Sequence, residues 1–426
     1  MRFLIYVELG FLLVCSMGNE HIASLLSYID GSPTPFHVVE TTKNRLLSQG
    51  FSEQKVLGEE IHQRGFLIQD GAIVAWSLGE KGAPLRIIGA HTDSPNLRVQ
   101  PNPDITAAGW SQLGIEIYGG VLLNSWLDRD LGIAGRVVCA DGSVQLFSDA
   151  SALARVPQLA IHLDREISER GLLLDKHLHT VPVWGTNAPH FSSWLQEKTG
   201  RTDVVAYDAH LFDVTPGSLL GVDQSLIASA RLDNQLSCWA AIEALVQSDS
   251  EFTSIVILND HEEVGSESVT GAAGPLLENV VIRILDAQAA TTKSRPDLAR
   301  ESWCLSADNA HAVHPNYQER HDPRHGPQIN AGPALKLNGN QRYATTARGA
   351  AYIRSVAQKA NTPLQTFVSR NNMPCGSTIG PITSTRLGIE AIDIGVPQLS
   401  MHSAREMCGA DDPLYLVALM SQFLKS

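Results

Sequence analysis

Six cysteines are scattered along the chain (Cys15, Cys139, Cys238, Cys304, Cys375, Cys408), and no CxxC pair occurs among them. That absence argues against a disulfide framework and suits a reducing, cytoplasmic setting. Positive charge is also short. Thirty-two Lys and Arg stand against 45 Asp and Glu, a formal net charge of −13. Such a chain repels a phosphate backbone, so nucleic acid is not an expected partner. Internal repeats and low-complexity tracts are missing. The apolar stretch Met1–Ser16 is too short to span a bilayer, and no membrane association is expected. Its outline, Arg2 followed by apolar residues ending in Leu-Leu-Val-Cys15, is that of an export signal. Glu8 interrupts it, however, and Val14 stands where a small residue would precede a lipidated cysteine. The expectation is an extension outside the fold, residues 1–16, ahead of an ordinary start at Met17, with export as the alternative.

What is present is a globular composition: 426 residues, 43% hydrophobic and 18% charged, enough for two domains. Helical spacing runs from Glu20 to Asp30 and stops at Gly31-Ser-Pro-Thr-Pro35, and a second helix is expected to Gly50. Strands are expected at Gly65–Gln69, Ala72–Leu78 and Pro84–Ala90, the last ending in His91-Thr-Asp93. From 97 to 225 short β-like runs dominate (Ile115–Tyr118, Gly135–Cys139, Val144–Phe147), with helical patches near 186–199. Alternation of helix and strand resumes at Leu232. It continues with a helix through Leu236–Gln247, strands at Phe252–Leu258 and Val280–Leu285, and a helix at Thr346–Asn361. Strands at Leu364–Ser369 and Ile389–Ile394 and a closing helix Pro413–Leu424 complete it. The pattern predicts an α/β domain with a mixed sheet, residues 17–96 and 226–426, interrupted by an inserted, mainly β domain at 97–225.

The run Phe252–Leu258 reads as a buried strand, and just past it stand two adjacent carboxylates, Glu262 and Glu263. Neighbouring side chains after a strand point different ways. One can therefore ligate a metal while the other takes a proton from water. A zincin is excluded, because Gly265 occupies the place of the second histidine in HExxH. Four further strand-end or loop segments supply metal-type donors: His91-Thr-Asp93, Arg231-Leu-Asp233, Ser306-Ala-Asp308-Asn-Ala-His311 and Ser400-Met-His402. Taken singly, each has a plain explanation as a core histidine, a helix cap or a turn. Together, at strand ends of one α/β domain, two histidines and three carboxylates with a spare Glu form a mixed N/O set suited to Zn, Mn or Co.

In this order, Gly89-Ala-His91-Thr-Asp93-Ser-Pro95, Ala230-Arg-Leu-Asp233-Asn-Gln235, His261-Glu-Glu263-Val-Gly-Ser266, Ser306-Ala-Asp308-Asn-Ala-His311 and Ser400-Met-His402-Ser resemble the M18 family, the aspartyl aminopeptidases. The resemblance covers the chain from Met17 onward. It implies an α/β metallopeptidase domain with an inserted β dimerisation domain, and a dinuclear zinc aminopeptidase that removes N-terminal Asp or Glu from peptides. Asp233 would bridge two zinc ions, with Mn or Co as substitutes. His91 and Asp308 would complete one site, Glu263 and His402 the other. Glu262 would be the general base and Asp93 would orient His91. Lys336 would receive the acidic side chain, and Tyr343 and His311 would lie near the scissile carbonyl. His162, from the insert, would reach a neighbouring subunit's active site in a homo-oligomer, a dodecamer built from dimers. Two other readings are open. One is a broad aminopeptidase, or a related dinuclear-metal deacylase or carboxypeptidase. The other is a non-catalytic assembly protein, against which the intact Glu262 beside a full ligand set argues.

Overall fold

The computed structural model describes residues 20–426 except 56, 57, 59, 250 and 288–293. The expectations for residues 1–16 fall outside them. The frame is a nine-stranded mixed sheet. At its centre four strands run parallel, in the spatial order Thr253–Asn259, Leu85–His91, Trp303–Ala307 and Glu390–Gly395. The first three are buried along their whole length. Helices cover both faces of such a sheet, so neither face needs a polar alternation, and that is why these strands read as nearly continuous apolar runs. The helix Leu232–Val246 is buried at all fifteen positions. It packs on the closing helix Asp412–Phe423 and on the Leu85–His91 strand.

A second sheet has six antiparallel strands: Val144–Ala154, Leu131–Cys139, Val204–Asp213, Asn96–Ala107, Trp110–Tyr118 and Val183–Gly185. Its core includes Leu97, Leu113, Ile133, Phe147 and Leu211, closed by Phe191 and Leu195 of the helix Phe191–Thr199. A third, five-stranded sheet joins distant parts of the chain. Ser218–Leu220 pairs with Leu226–Ser229, which pairs with Glu406–Gly409. Among the described residues, no helix is long and apolar enough to cross a membrane.

One sequence expectation is corrected. Val280–Leu285 is not a strand but lies inside the helix Leu276–Ala287. Its apolar run lacks visible alternation and can be read either way. In the fold, Leu276, Val280, Val281 and Ile284 form one buried stripe, while Asn279 and Asp286 face outward. That is the three-to-four-residue spacing of a helix lying on a sheet.

The insert leans on the α/β body through His210, which is 2% exposed and sits edge-on to Phe36, ring centroids 6.1 Å apart. Burial, then the charges of Arg98, His37 and Arg136, hold its imidazole well below the usual histidine range, with Asp93 opposing. Burial likewise lowers nearby His37 to about 4. Both rings are neutral in the folded chain near pH 6, whereas the unfolded chain binds their protons at about 6.5. Their contribution to stability is therefore full above that pH and is lost as pH falls below it, at up to about 1.4 kcal/mol per pH unit for each proton. Urea unfolding of His210→Gln and wild type from pH 7.5 to 5 is expected to give a shallower acid loss in the variant. Parallel curves would contradict this.

Candidate metal centre

The parallel strands deliver the donors side by side. His91 is the last residue of its strand, and Asp308 follows Ala307 directly. Glu262 and Glu263 form a short turn three residues past Asn259, and His402 follows the strand Pro397–Leu399. This is the carboxyl-end rim where open α/β sheets place their sites. Asp233 comes from the buried helix's first turn, where the Asp233–Asn234 peptide is cis. Backbone conformations unfavourable for residues with a Cβ gather at the same rim: φ is 55° at Arg231, 62° at His261, 57° at Ser400 and 67° at His402. Each costs about 1 kcal/mol or more and persists only where the surroundings hold it.

All five sequence-predicted ligands converge. One group is His91, Asp233 and Asp308, the other Asp233, Glu263 and His402, each with donor atoms within 4.8 Å of one another. Asp233 belongs to both, and its two oxygens face different imidazoles. Oδ1 lies 3.5 Å from His91 Nε2, and Oδ2 lies 3.5 Å from His402 Nε2. Glu263 Oε1 is 3.4 Å from the same His402 nitrogen. These separations are long for hydrogen bonds. They match the edge of a tetrahedron of donors about 2.0–2.1 Å from a common centre, about 3.4 Å. Asp233 Oδ1 and Glu263 Oε1 are buried without a hydrogen-bond partner. Such groups carry a large desolvation penalty unless something positive meets them. The donor set therefore fits divalent zinc.

The histidines are pre-set for this. His91 Nδ1 lies 3.0 Å from the Asp93 carbonyl and His402 Nδ1 lies 3.1 Å from the Gly120 carbonyl. A carbonyl oxygen can only accept, so both Nδ1 atoms carry protons, and both Nε2 atoms point at the carboxylates, where a metal would take the place of their proton. Asp93's carboxylate is farther from His91 Nδ1, 3.4 Å, than its own carbonyl. That carboxylate instead ties the glutamate turn, Oδ1 accepting from Glu262 N and Oδ2 from Glu263 N, each at 3.1 Å. Burial raises the Asp233 carboxyl, but the imidazoles of His402 and His91 outweigh it and hold it below the usual range. Glu262 goes the other way. Burial pushes it up to about 8, with His91 opposing and Asp308, Asp93 and Asp233 adding repulsion.

The donors open into a cavity of about 230 Å³. Lys336, from the strand Ala334–Leu337, is 3% exposed at its wall, with Nζ 3.9 Å from Asp308 Oδ1 and 5.3 Å from the centre of the Tyr343 ring. Tyr343 and His311 also line the cavity.

A family model described as aminopeptidase I zinc metalloprotease (M18) matches residues 28–424. The chain belongs to the M18 family. A probable M18 family aminopeptidase 2 of Streptomyces coelicolor is 48% identical over 421 residues, 95% of this chain and 98% of its own length. A cryo-EM structure of an Ape4 and Nbr1 complex aligns with a TM-score of 0.90 at 33% identity, covering 96% of this chain and 86% of that one. An mApe1 dodecamer of S. cerevisiae aligns with a TM-score of 0.82 at 28% identity, covering 94% and 95%. This M18 chain is thus a metallopeptidase of the aminopeptidase type, in a family of zinc enzymes.

Of the sequence-predicted site residues of this M18 chain, His162 alone stays apart. It sits on the exposed turn Ile161–Leu163 of the insert and does not line the cavity. Three buried supports were missed from sequence. Glu406 Oε2 accepts from Asp233 N at 2.9 Å and its Oε1 from His402 N at 2.7 Å, locking two ligands together. Asp393 accepts from Thr378 Oγ1 and Ala344 N, both at 2.6 Å, fixing the cavity wall beside Tyr343. Tyr118 donates to Asp93. Glu406 and Asp393 read as ordinary acidic residues, and only their depth distinguishes them.

Proposed function

We propose that this chain is a dinuclear zinc aminopeptidase that removes acidic residues from the amino termini of peptides. The observation that carries the reading is Asp233, whose two oxygens face the two histidines of separate donor groups. His91, Asp233 and Asp308 would hold one ion, and Asp233, Glu263 and His402 the other, with Mn or Co as substitutes. Two such ions supply Lewis acidity that polarises a carbonyl and acidifies water near neutral pH. Glu262, whose side chain lines the cavity beside the donors, takes the proton of the attacking water and returns it to the leaving amine. Tyr343, and His162 of an adjoining copy, donate toward the oxygen that gains charge. The free α-amine of the substrate lies against the carboxylates, which limits cleavage to the first residue.

Lys336 selects the side chain. A lysine buried at the cavity wall meets a carboxylate where solvent screening is weak, so the pair is worth more than at the surface. Its 3.9 Å approach to Asp308 engages part of that charge and favours the second reading, a peptidase of broad specificity. Rates on Asp-Ala, Glu-Ala, Leu-Ala, Lys-Ala and acetyl-Asp-Ala, with and without chelator, separate the two. Turnover of Asp and Glu only, abolished by acetylation and chelation, supports the acidic reading, and equal rates on Leu-Ala overturn it. Lys336→Ala is expected to lower kcat/KM on Asp-Ala at least tenfold more than on Leu-Ala, and equal losses would remove Lys336 from selection.

The insert serves assembly in this proposal. Leu159, Ile161, Leu163, Leu173 and Leu178 stand more than half exposed around His162, an apolar surface suited to a second copy. Dimers built there would assemble as the mApe1 dodecamer does. The scattered cysteines support a cytoplasmic setting. Light scattering of the purified chain tests the assembly, and a monomer would contradict it.

A further inference from the structure

The six-stranded sheet reaches the metal centre through the end of one of its strands. The strand Trp110–Tyr118 ends against it, and the next residues run along it. Tyr118 is 7% exposed, and its hydroxyl donates to Asp93 Oδ2 at 2.7 Å while the Arg98 guanidinium lies 3.6 Å over the ring. The same carboxylate holds the Glu262 and Glu263 amides, and the Asp93 carbonyl holds His91 Nδ1. Gly119 has φ +73°, and a Cβ there would lie 3.1 Å from Glu263 Cβ. The Gly120 carbonyl accepts from His402 Nδ1, and a Cβ on Gly120 would lie 3.0 Å from that nitrogen. Two further bonds fasten the segment. Leu122 N donates to the His402 carbonyl at 3.0 Å, and Ala404 N donates to Ser125 Oγ at 2.9 Å.

Three consecutive residues thus touch both halves of the donor set: Tyr118 acts on His91 and the glutamates through Asp93, Gly119 packs on Glu263, and Gly120 orients His402. We propose that Tyr118-Gly119-Gly120 is a positioning strap through which the inserted sheet sets the metal affinity and ligand geometry of the centre. The insert is then part of the metal site and not only an assembly surface. Partners one bond away from metal ligands fix ring orientation and tautomer, and losing one costs about 10–100-fold in metal affinity or activity. Glycine suits both positions, because φ of +73° at Gly119 strains any residue with a Cβ and a Cβ at Gly120 would crowd His402 Nδ1. Tyrosine suits the first position because its ring lies under the Arg98 guanidinium and beside His261 while its hydroxyl reaches the carboxylate.

The inference rests on the reading of the five donors as a zinc centre, and the test separates the two. Metal-free wild type, Tyr118→Phe, Gly120→Ala and Asp233→Asn are titrated with zinc in competition with a chromophoric chelator. Visible spectra of the cobalt-loaded proteins are recorded alongside, with thermal unfolding of the metal-free forms as a check on folding. The strap predicts zinc affinity about 10–100-fold weaker in Tyr118→Phe and a shifted cobalt spectrum, in a metal-free form that still unfolds cooperatively. Affinity within twofold of wild type and a superimposable spectrum overturn it. Should Tyr118→Phe fail to fold, Gly120→Ala is judged by the same two readouts. Wild type that takes up no zinc overturns the centre itself and the strap with it. Uptake that Asp233→Asn abolishes and Tyr118→Phe leaves unaltered keeps the centre and removes the strap.

Discussion

Asp233→Asn is expected to lower dipeptide hydrolysis by about 10³-fold or more, close to 4 kcal/mol of transition-state stabilisation, and to release at least one zinc ion per chain on dialysis. The substitution keeps the shape of a side chain that is 3% exposed and leaves its amide bonded to Glu406. It replaces one of two oxygens by an amide nitrogen that cannot ligate, beside either His91 or His402. Because the residue belongs to both donor groups, no orientation of the asparagine repairs both. Metal analysis after dialysis, paired with the Asp-Ala rate, checks the outcome. Full zinc content with a rate within tenfold of wild type would take Asp233 out of the centre.

Glu262→Gln is expected to separate catalysis from metal binding, with kcat falling about 10²–10⁴-fold, the usual worth of a general base, at unchanged zinc content. The geometry distinguishes the two glutamates. Glu263 Oε1 is 3.4 Å from His402 Nε2 and is buried without a hydrogen-bond partner, as a ligand atom would be. Glu262 Oε2 stands 3.9 Å from His91 Nε2 and its side chain lines the cavity where substrate would enter. Zinc loss in Glu262→Gln, with retention in Glu263→Gln, would exchange their roles.

The donor chemistry was legible because it needs only residue type and place. His91 and the Glu262–Glu263 pair each follow an apolar run that reads as a buried strand. Asp308 follows the central strand Trp303–Ala307, which the sequence pattern did not separate out, and strand ends on one edge of a parallel sheet are neighbours in space. Less legible was the helix Leu276–Ala287, since Val280–Leu285 taken alone has no period to separate helix from strand. The supports were not legible at all. Glu406 meets Asp233 across 173 positions of sequence, and Tyr118 meets Asp93 across 25. Nothing local marks either one.

By itself the sequence determined the alternation of strand and helix in the α/β part, the N/O donor set, and the exclusion of disulfide, nucleic-acid and zincin chemistries, but not the central strand Trp303–Ala307 or the helix Leu276–Ala287. Those follow from composition, from short-range periodicity and from the coordination preferences of side chains, all properties of residues near one another in the chain. The tertiary structure decided which oxygen of Asp233 faces which histidine, which imidazole nitrogen points at the carboxylates, and that the insert's Tyr118-Gly119-Gly120 segment lies against the donors. Such facts turn on tenths of an ångström between groups that only the packed sheets bring together, and no local pattern encodes them.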